Sequence, residues 1–180
     1  MTSTHEPGRF DDGPSILDQP RVIPGPGPAP HNDARHGWGY EKPLNDPAIA
    51  EIWCYTPRYG YRAGGTIDFH VHSTRKLFEI EIHREGPTPE IVYRRGGIPA
   101  TAVPTPAHAH VVGCGWPVAL QLTVPDEWRS GFYVVIVRVR DDDDGVFERE
   151  HFFVVKPATP ARDTGIAFVV STATMNAYND

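Results

Sequence analysis

The chain has 180 residues, with 17 Lys and Arg against 23 Asp and Glu, a formal net charge of −6 and a pI near 5.8. That length supports one domain with a real core and is too short for two full-sized ones. The acidic balance supplies no basic stripe for phosphates, which argues against nucleic acid and anionic membrane surfaces as partners.

Residues 1–47 are rich in Pro and Gly, including the run Ile23-Pro24-Gly25-Pro26-Gly27-Pro28-Ala29-Pro30. Missing amide protons and low hydrophobicity oppose helix, sheet and core, so a flexible or extended leader is expected. Polyproline II docking on an SH3-like partner would need a basic anchor at the right spacing, which this stretch lacks. Acidic and polar groups stand at the start, where an export signal needs a basic flank and an apolar run. No apolar stretch reaches the roughly 20 residues that span a bilayer. The expectation is a soluble, cytoplasmic protein with no membrane partner. In that compartment Cys54 and Cys114 are expected as reduced thiols.

From 48 to 157 the pattern changes to short alternating apolar runs separated by Gly, Pro and Asp, the mark of an antiparallel all-β domain. Ile67, Phe69 and Val71 alternate with Asp68, His70 and His72, and Phe78, Ile80 and Ile82 alternate with Glu79, Glu81 and His83. Each strand is expected to have one wet face. Trp116, Val118, Leu120, Leu122 and Val124 continue the two-residue period, and 132–139 and 148–155 supply two more strands, joined across Asp144-Gly145. About seven short strands in this span predict an immunoglobulin-like or fibronectin-like antiparallel β-sandwich. Tyr133, at the start of a late strand, is placed either at a sandwich corner, bonding backbone, or as an ordinary core tyrosine. Gly64-Gly65 and Gly96-Gly97 are expected in turns.

Residues 158–180 are expected to form a linker and the start of an incomplete α/β catalytic domain. Ile166-Ala167-Phe168-Val169-Val170 is apolar without alternation, and such a strand needs cover on both faces. The alternative is a last strand added to the sandwich edge.

For chemistry, His70-Val71-His72 and His108-Ala109-His110 place imidazoles two apart, which on a strand share a face and suit one metal. Glu79, Glu81 and His83 on a neighbouring strand would complete a carboxylate and histidine site. Surface histidines on the solvated face explain the same pattern without ligands. The Asp141-Asp142-Asp143-Asp144-Gly145 run lacks EF-hand spacing, with Arg140 and His151 where acids are required, and reads as a solvated hairpin tip. No nucleophile signature or phosphate loop is present.

Three stretches carry a resemblance. They are Ile52-Trp53-Cys54-Tyr55-Thr56-Pro57-Arg58-Tyr59 with Arg62-Ala63-Gly64-Gly65-Thr66, then Val124-Pro125-Asp126-Glu127-Trp128-Arg129-Ser130-Gly131-Phe132-Tyr133, and Ile166-Ala167-Phe168-Val169-Val170-Ser171-Thr172-Ala173-Thr174-Met175-Asn176-Ala177-Tyr178-Asn179. Over residues 48–180 the chain resembles the N,N-dimethylformamidase large (beta) subunit family, most specifically at Thr174 to Asn179. The resemblance implies a hydrolase of small linear amides, in which a sandwich precedes a glutamine amidotransferase-like α/β domain holding a single iron between two tyrosines and a glutamate. Such oxygen ligands suit ferric iron, which polarises an amide carbonyl and acidifies bound water. Tyr178 matches one tyrosine ligand, while the second tyrosine and the glutamate would lie beyond Asp180. The implied partners are the missing C-terminal domain or a small subunit, and the chain by itself is expected not to be catalytic. The rival readings are a stand-alone β-sandwich that binds carbohydrate or protein, and a histidine metal module.

Overall fold

The period-two runs fold as two β-sheets packed face to face. The computed structural model describes residues 43–142, 145–161, 165, 167 and 169–171. In chain order the strands are β1 (Ile52–Tyr55), β2 (Gly60–Tyr61), β3 (Thr66–Ser73), β4 (Leu77–Arg84), β5 (Glu90–Pro99), β6 (Val118–Thr123), β7 (Gly131–Arg140) and β8 (Val146–Val155), with one helical turn, α1 (Ala109–Val112), between β5 and β6. One sheet has the order β1-β3-β6 and the other β2-β8-β7-β4-β5. All pairings are antiparallel except β2 with β8. This is the β-sandwich that the alternation predicts.

Ile67, Phe69 and Val71 of β3 and Phe78, Ile80 and Ile82 of β4 point inward from opposite sheets and meet Tyr133, Val135 and Val137 of β7 and Phe153 and Val155 of β8 in one buried cluster. Each such side chain contributes on the order of 2 kcal/mol by leaving water. Trp128, Tyr133 and Phe153 stack at one end of the core, with Tyr133 5.1 Å from Trp128 and 5.3 Å from Phe153. The Tyr133 hydroxyl donates to the Arg129 carbonyl at 2.5 Å, which makes it the corner tyrosine rather than an ordinary core residue. Burial raises its hydroxyl above the usual tyrosine range.

Two sequence expectations change. The uninterrupted alternation from Trp116 to Val124 breaks, because β6 starts at Val118 and the register with β3 shifts between Phe69 and His70. Leu120 pairs with Phe69 on the core side, whereas Val118 pairs with His70 on the outer face and is 44% exposed. Gly96-Gly97 is no turn between strands. It lies inside β5, where the pairing with β4 is bulged, and the φ of 64° at Gly97 is one that a side chain disfavours. Gly64-Gly65 does turn the chain, with Gly64 at φ 74° and the Gly65 amide donating to the Arg62 carbonyl.

The β7–β8 hairpin closes where the Asp141 amide donates to the Gly145 carbonyl, while residues 143 and 144 lie outside the described residues. Ala167, Val169 and Val170 take no strand, and Val169 is 84% exposed. Ile166 and Phe168 of the same run lie outside the described residues. Among the described residues no helix is long and apolar enough to cross a membrane.

Candidate functional site

The outer face of the three-stranded sheet is built by register. Trp53 pairs with His72 and Tyr55 with His70, so these four side chains share the face opposite Ile67, Phe69 and Val71. The connection from β5 to β6 covers part of it through Val103 and Trp116. His72 is therefore fully buried, against the expectation of a solvated histidine, because the covering residues come from far along the chain.

His72 is held at both nitrogens. The Val103 amide donates to Nδ1 at 2.9 Å, so Nδ1 carries no proton. Nε2 then carries the proton and donates to Glu51 Oε1 at 2.9 Å. The other carboxylate oxygen of Glu51 accepts the Leu44 amide at 2.8 Å. One buried Glu–His pair thus pins the entry to β1, β3 and the covering loop to each other.

His70 differs. Its Nδ1 lies 2.7 Å from the Trp116 carbonyl, which can only accept, so Nδ1 is the protonated nitrogen. Its ring stacks on Tyr55 with centroids 4.7 Å apart and planes 4° from parallel, and Trp116 closes the group 5.4 Å from Tyr55. Burial, then the neighbouring Cys114, raises the Tyr55 hydroxyl. Both cysteines are free, as expected. Burial pushes the Cys54 thiol up to about 12 and raises Cys114, which keeps both protonated at neutral pH and poor as nucleophiles.

Glu79, Glu81 and His83 do not join His70 and His72. β4 lies in the five-stranded sheet, and its outer face is separated from that of β3 by the whole core, about 10 Å thick. The single carboxylate and histidine site is excluded by topology. β3 and β4 are consecutive but belong to different sheets, so the neighbouring-strand assumption fails.

On β4 the wet-face expectation also changes, for Glu81 is only 3% exposed. Arg94 Nε of β5 lies 2.7 Å from Glu81 Oε2, His83 Nε2 contacts Oε1, and Arg138 Nη2 of β7 is 3.7 Å away. Arg138 Nε in turn donates to Glu148 Oε2 of β8 at 2.9 Å. Positive and negative groups therefore alternate across β5, β4, β7 and β8.

His151 was not singled out by the sequence, although it shares strand parity with the core residues Phe153 and Val155. Thr56 donates its hydroxyl proton to the Arg58 carbonyl at 2.9 Å, so it accepts from His151 Nε2 at 2.8 Å. Burial pushes this imidazole down to about 4.

His108 precedes α1, and residues two apart on a helical turn do not face each other. The side chain of His110 lies outside the described residues. The acidic hairpin tip is not merely solvated, since Arg75 Nη2 is 2.6 Å from Asp141 Oδ1 and its hydrogen bond holds that carboxyl below the usual range. Tyr178 lies outside the described residues. Among those described, no three His, Cys, Asp or Glu side chains converge as a metal-holding group.

No curated protein matches the chain. Solved structures to which it is similar include the superoxide reductase (neelaredoxin) from Ignicoccus hospitalis, at 14% identity over 59% of this chain and 82% of that one with a TM-score of 0.35. Murine CRIg is 14% identical over 59% of this chain and 97% of its own, with a TM-score of 0.37. The PmoD soluble domain from Methylocystis sp. is 13% identical over 59% and 90%, with a TM-score of 0.34. Likenesses this distant carry no argument about function. The model of the family described as N,N-dimethylformamidase beta subunit-like, C-terminal, matches residues 74–180, from the turn before β4 to the last residue. By that match over more than half its length, the chain belongs to the N,N-dimethylformamidase beta subunit-like family.

Proposed function

We propose that this chain is the leading, sandwich-bearing part of an N,N-dimethylformamidase-like amide hydrolase and is not catalytic by itself. The matched description refers to the C-terminal region of the family's beta subunit, and the match begins at residue 74, just after β3. The carrying observation is that the match, residues 74–180, takes in both β4 to β8 and the apolar run at 166–170. Val169, 84% exposed, supports the same reading, since a residue of this kind needs the layers of a following α/β unit.

In this reading the substrate is a small linear amide, the enzyme is cytoplasmic, and iron is the metal. When bound, iron would polarise the amide carbonyl and acidify a water. Tyr178 is the proposed ligand from this chain, with further ligands from the polypeptide that follows or from a partner subunit. The described residues contribute scaffolding. The Glu51–His72 pair and the corner at Tyr133 brace the sandwich.

The reading frame beyond the codon for Asp180 tests this proposal. An α/β continuation carrying Tyr and Glu is expected, and its full-length product should hold iron and release amine from dimethylformamide or a related small amide. Tyr178→Phe should lower the iron content. A full-length product without iron or amidase activity would overturn the proposal, as would a stop with no partner gene beside it.

A further inference from the structure

Among the described residues the border strands are β1 and β6 in one sheet and β2 and β5 in the other. A border with unpaired backbone groups accepts a further strand unless something blunts it. β5 carries Arg94, Arg95, bulged pairing and Pro99, and β2 is two residues long. β1 is shielded by β8, whose Arg149 stands over Trp53 and whose His151 bonds Thr56. Beyond a bulge at Ala119, β6 has no such guard. Its residues Val118-Ala119-Leu120-Gln121-Leu122-Thr123 include no charge, Pro or Gly, and Gln121 and Thr123 are exposed.

The free backbone groups of β6 follow from its neighbours. Val124, just past the strand, donates to the Gly65 carbonyl and accepts the Gly64 amide, so its N–H and C=O both turn towards the β3 side. These directions alternate along a strand, so Leu122 and Leu120 also turn to β3, while Gln121 and Thr123 turn theirs to the open border. Two breaks bound this stretch. At one end the register with β3 skips Ala119, and at the other Pro125 has no N–H. Residues 120–124 therefore form a short, regular edge centred on Leu122.

We infer that this edge pairs antiparallel with the same edge of a second copy of the chain, about a two-fold axis at Leu122. The axis sets Gln121 opposite the partner's Thr123, each donating its N–H to the other's carbonyl. Symmetry repeats the exchange, giving about four backbone hydrogen bonds. Neighbouring registers fail: an axis at Gln121 sets Thr123 against the skipped Ala119, and one at Thr123 sets Gln121 against Pro125. The side chains agree with the same axis, because residues opposite each other share a face. Leu122 lies opposite Ile67 on the core side and is half-buried, and it meets the partner's Leu122 there. Leu120 meets the partner's Val124, and the polar Gln121 and Thr123 meet on the wet side. The edge is thus its own complement, as two-fold contacts require, and this selects a second copy over an unrelated strand. Two three-stranded sheets become one of six strands. Five residues span only about 17 Å, so the dimer is expected to be weak and reversible.

Sedimentation velocity on the full chain, from low micromolar to several hundred micromolar, joined to amide hydrogen exchange over the same range, is the test. A monomer–dimer equilibrium is expected, with the Gln121 and Thr123 amides exchanging more slowly as concentration rises. Gln121→Pro and Thr123→Pro each remove an N–H that β3 does not use, so each should keep the fold by circular dichroism and weaken the dimer at least about tenfold. Ile91→Asp, on the β5 border, should leave the dimer intact. A chain that stays monomeric throughout overturns the inference, as does a dimer in which these two amides gain no protection. Protection of both amides already complete at low micromolar concentration and independent of dilution also overturns it, since a segment of the same chain would then cover the edge.

Discussion

Glu51 and His72, 21 residues apart, are joined by a 2.9 Å hydrogen bond between a buried carboxylate and the Nε2–H of a fully buried imidazole. The carboxylate also accepts the Leu44 amide, and the far side of the ring accepts the Val103 amide. The pair therefore ties the residues ahead of β1 and the loop after β5 to β3.

Glu51→Ala should leave the imidazole N–H and the Leu44 amide without their acceptor. A buried donor left in this way costs about 1–3 kcal/mol, and the Leu44 amide, in a 40% exposed residue, adds less, so a loss of about 2–4 kcal/mol is expected. Glu51→Gln, which still accepts at one oxygen, should lose less. Urea unfolding checks this through a lower midpoint at unchanged slope.

His151 should give the sandwich an acid-sensitive stability. Its folded value of about 4 lies below the ordinary 6.5, so between these values the unfolded chain binds the proton that the folded chain refuses. Stability from this group is complete above pH 6.5 and falls as pH drops towards 4, by about 3 kcal/mol as an order of magnitude. Unfolding free energies of His151→Gln, measured over that range, should lack this slope. An equal slope in wild type and variant would place the titration elsewhere.

The ion row on the five-stranded sheet should be uneven. Arg138, 6% exposed, lies between two carboxylates, and Arg138→Leu leaves Glu81 and Glu148 facing each other. A loss of about 3 kcal/mol is expected. Arg94, whose side chain is 37% exposed, is screened by water, and Arg94→Leu should cost less than about 1 kcal/mol. Thermal unfolding at low and high salt separates the two, since only the outer pair should respond to salt.

Much of the fold was legible because it depends on local alternation. Ile67, Phe69 and Val71 announce their strand without help, while the place of Tyr133 at the start of β7 leaves corner and core open until its bond to the Arg129 carbonyl is seen. What stayed hidden depends on residues distant in sequence. Nothing near His72 tells that the connection from β5 to β6 will help bury it. Nothing between Ser73 and Leu77 tells that the chain changes sheets rather than turning back as a hairpin. The parity of Val118 is set by a bulge opposite His70, a pairing feature that a single strand's pattern does not contain. The His-x-His motif at 70–72 looked like one site for the same reason. Its two rings share a face, yet one is locked between Glu51 and Val103 while the other stacks on Tyr55.

The bulge in β5 has an effect beyond register. Among the described residues β5 is a border strand of its sheet, ten residues long, and an unpaired strand of that length can template identical strands into fibrils. Here Arg94 and Arg95 place charge on the border, Gly96-Gly97 kinks it, and Pro99 has no amide proton to give. The flat stretch that remains is too short for cross-β growth, so concentrated solutions of this chain should stay free of amyloid.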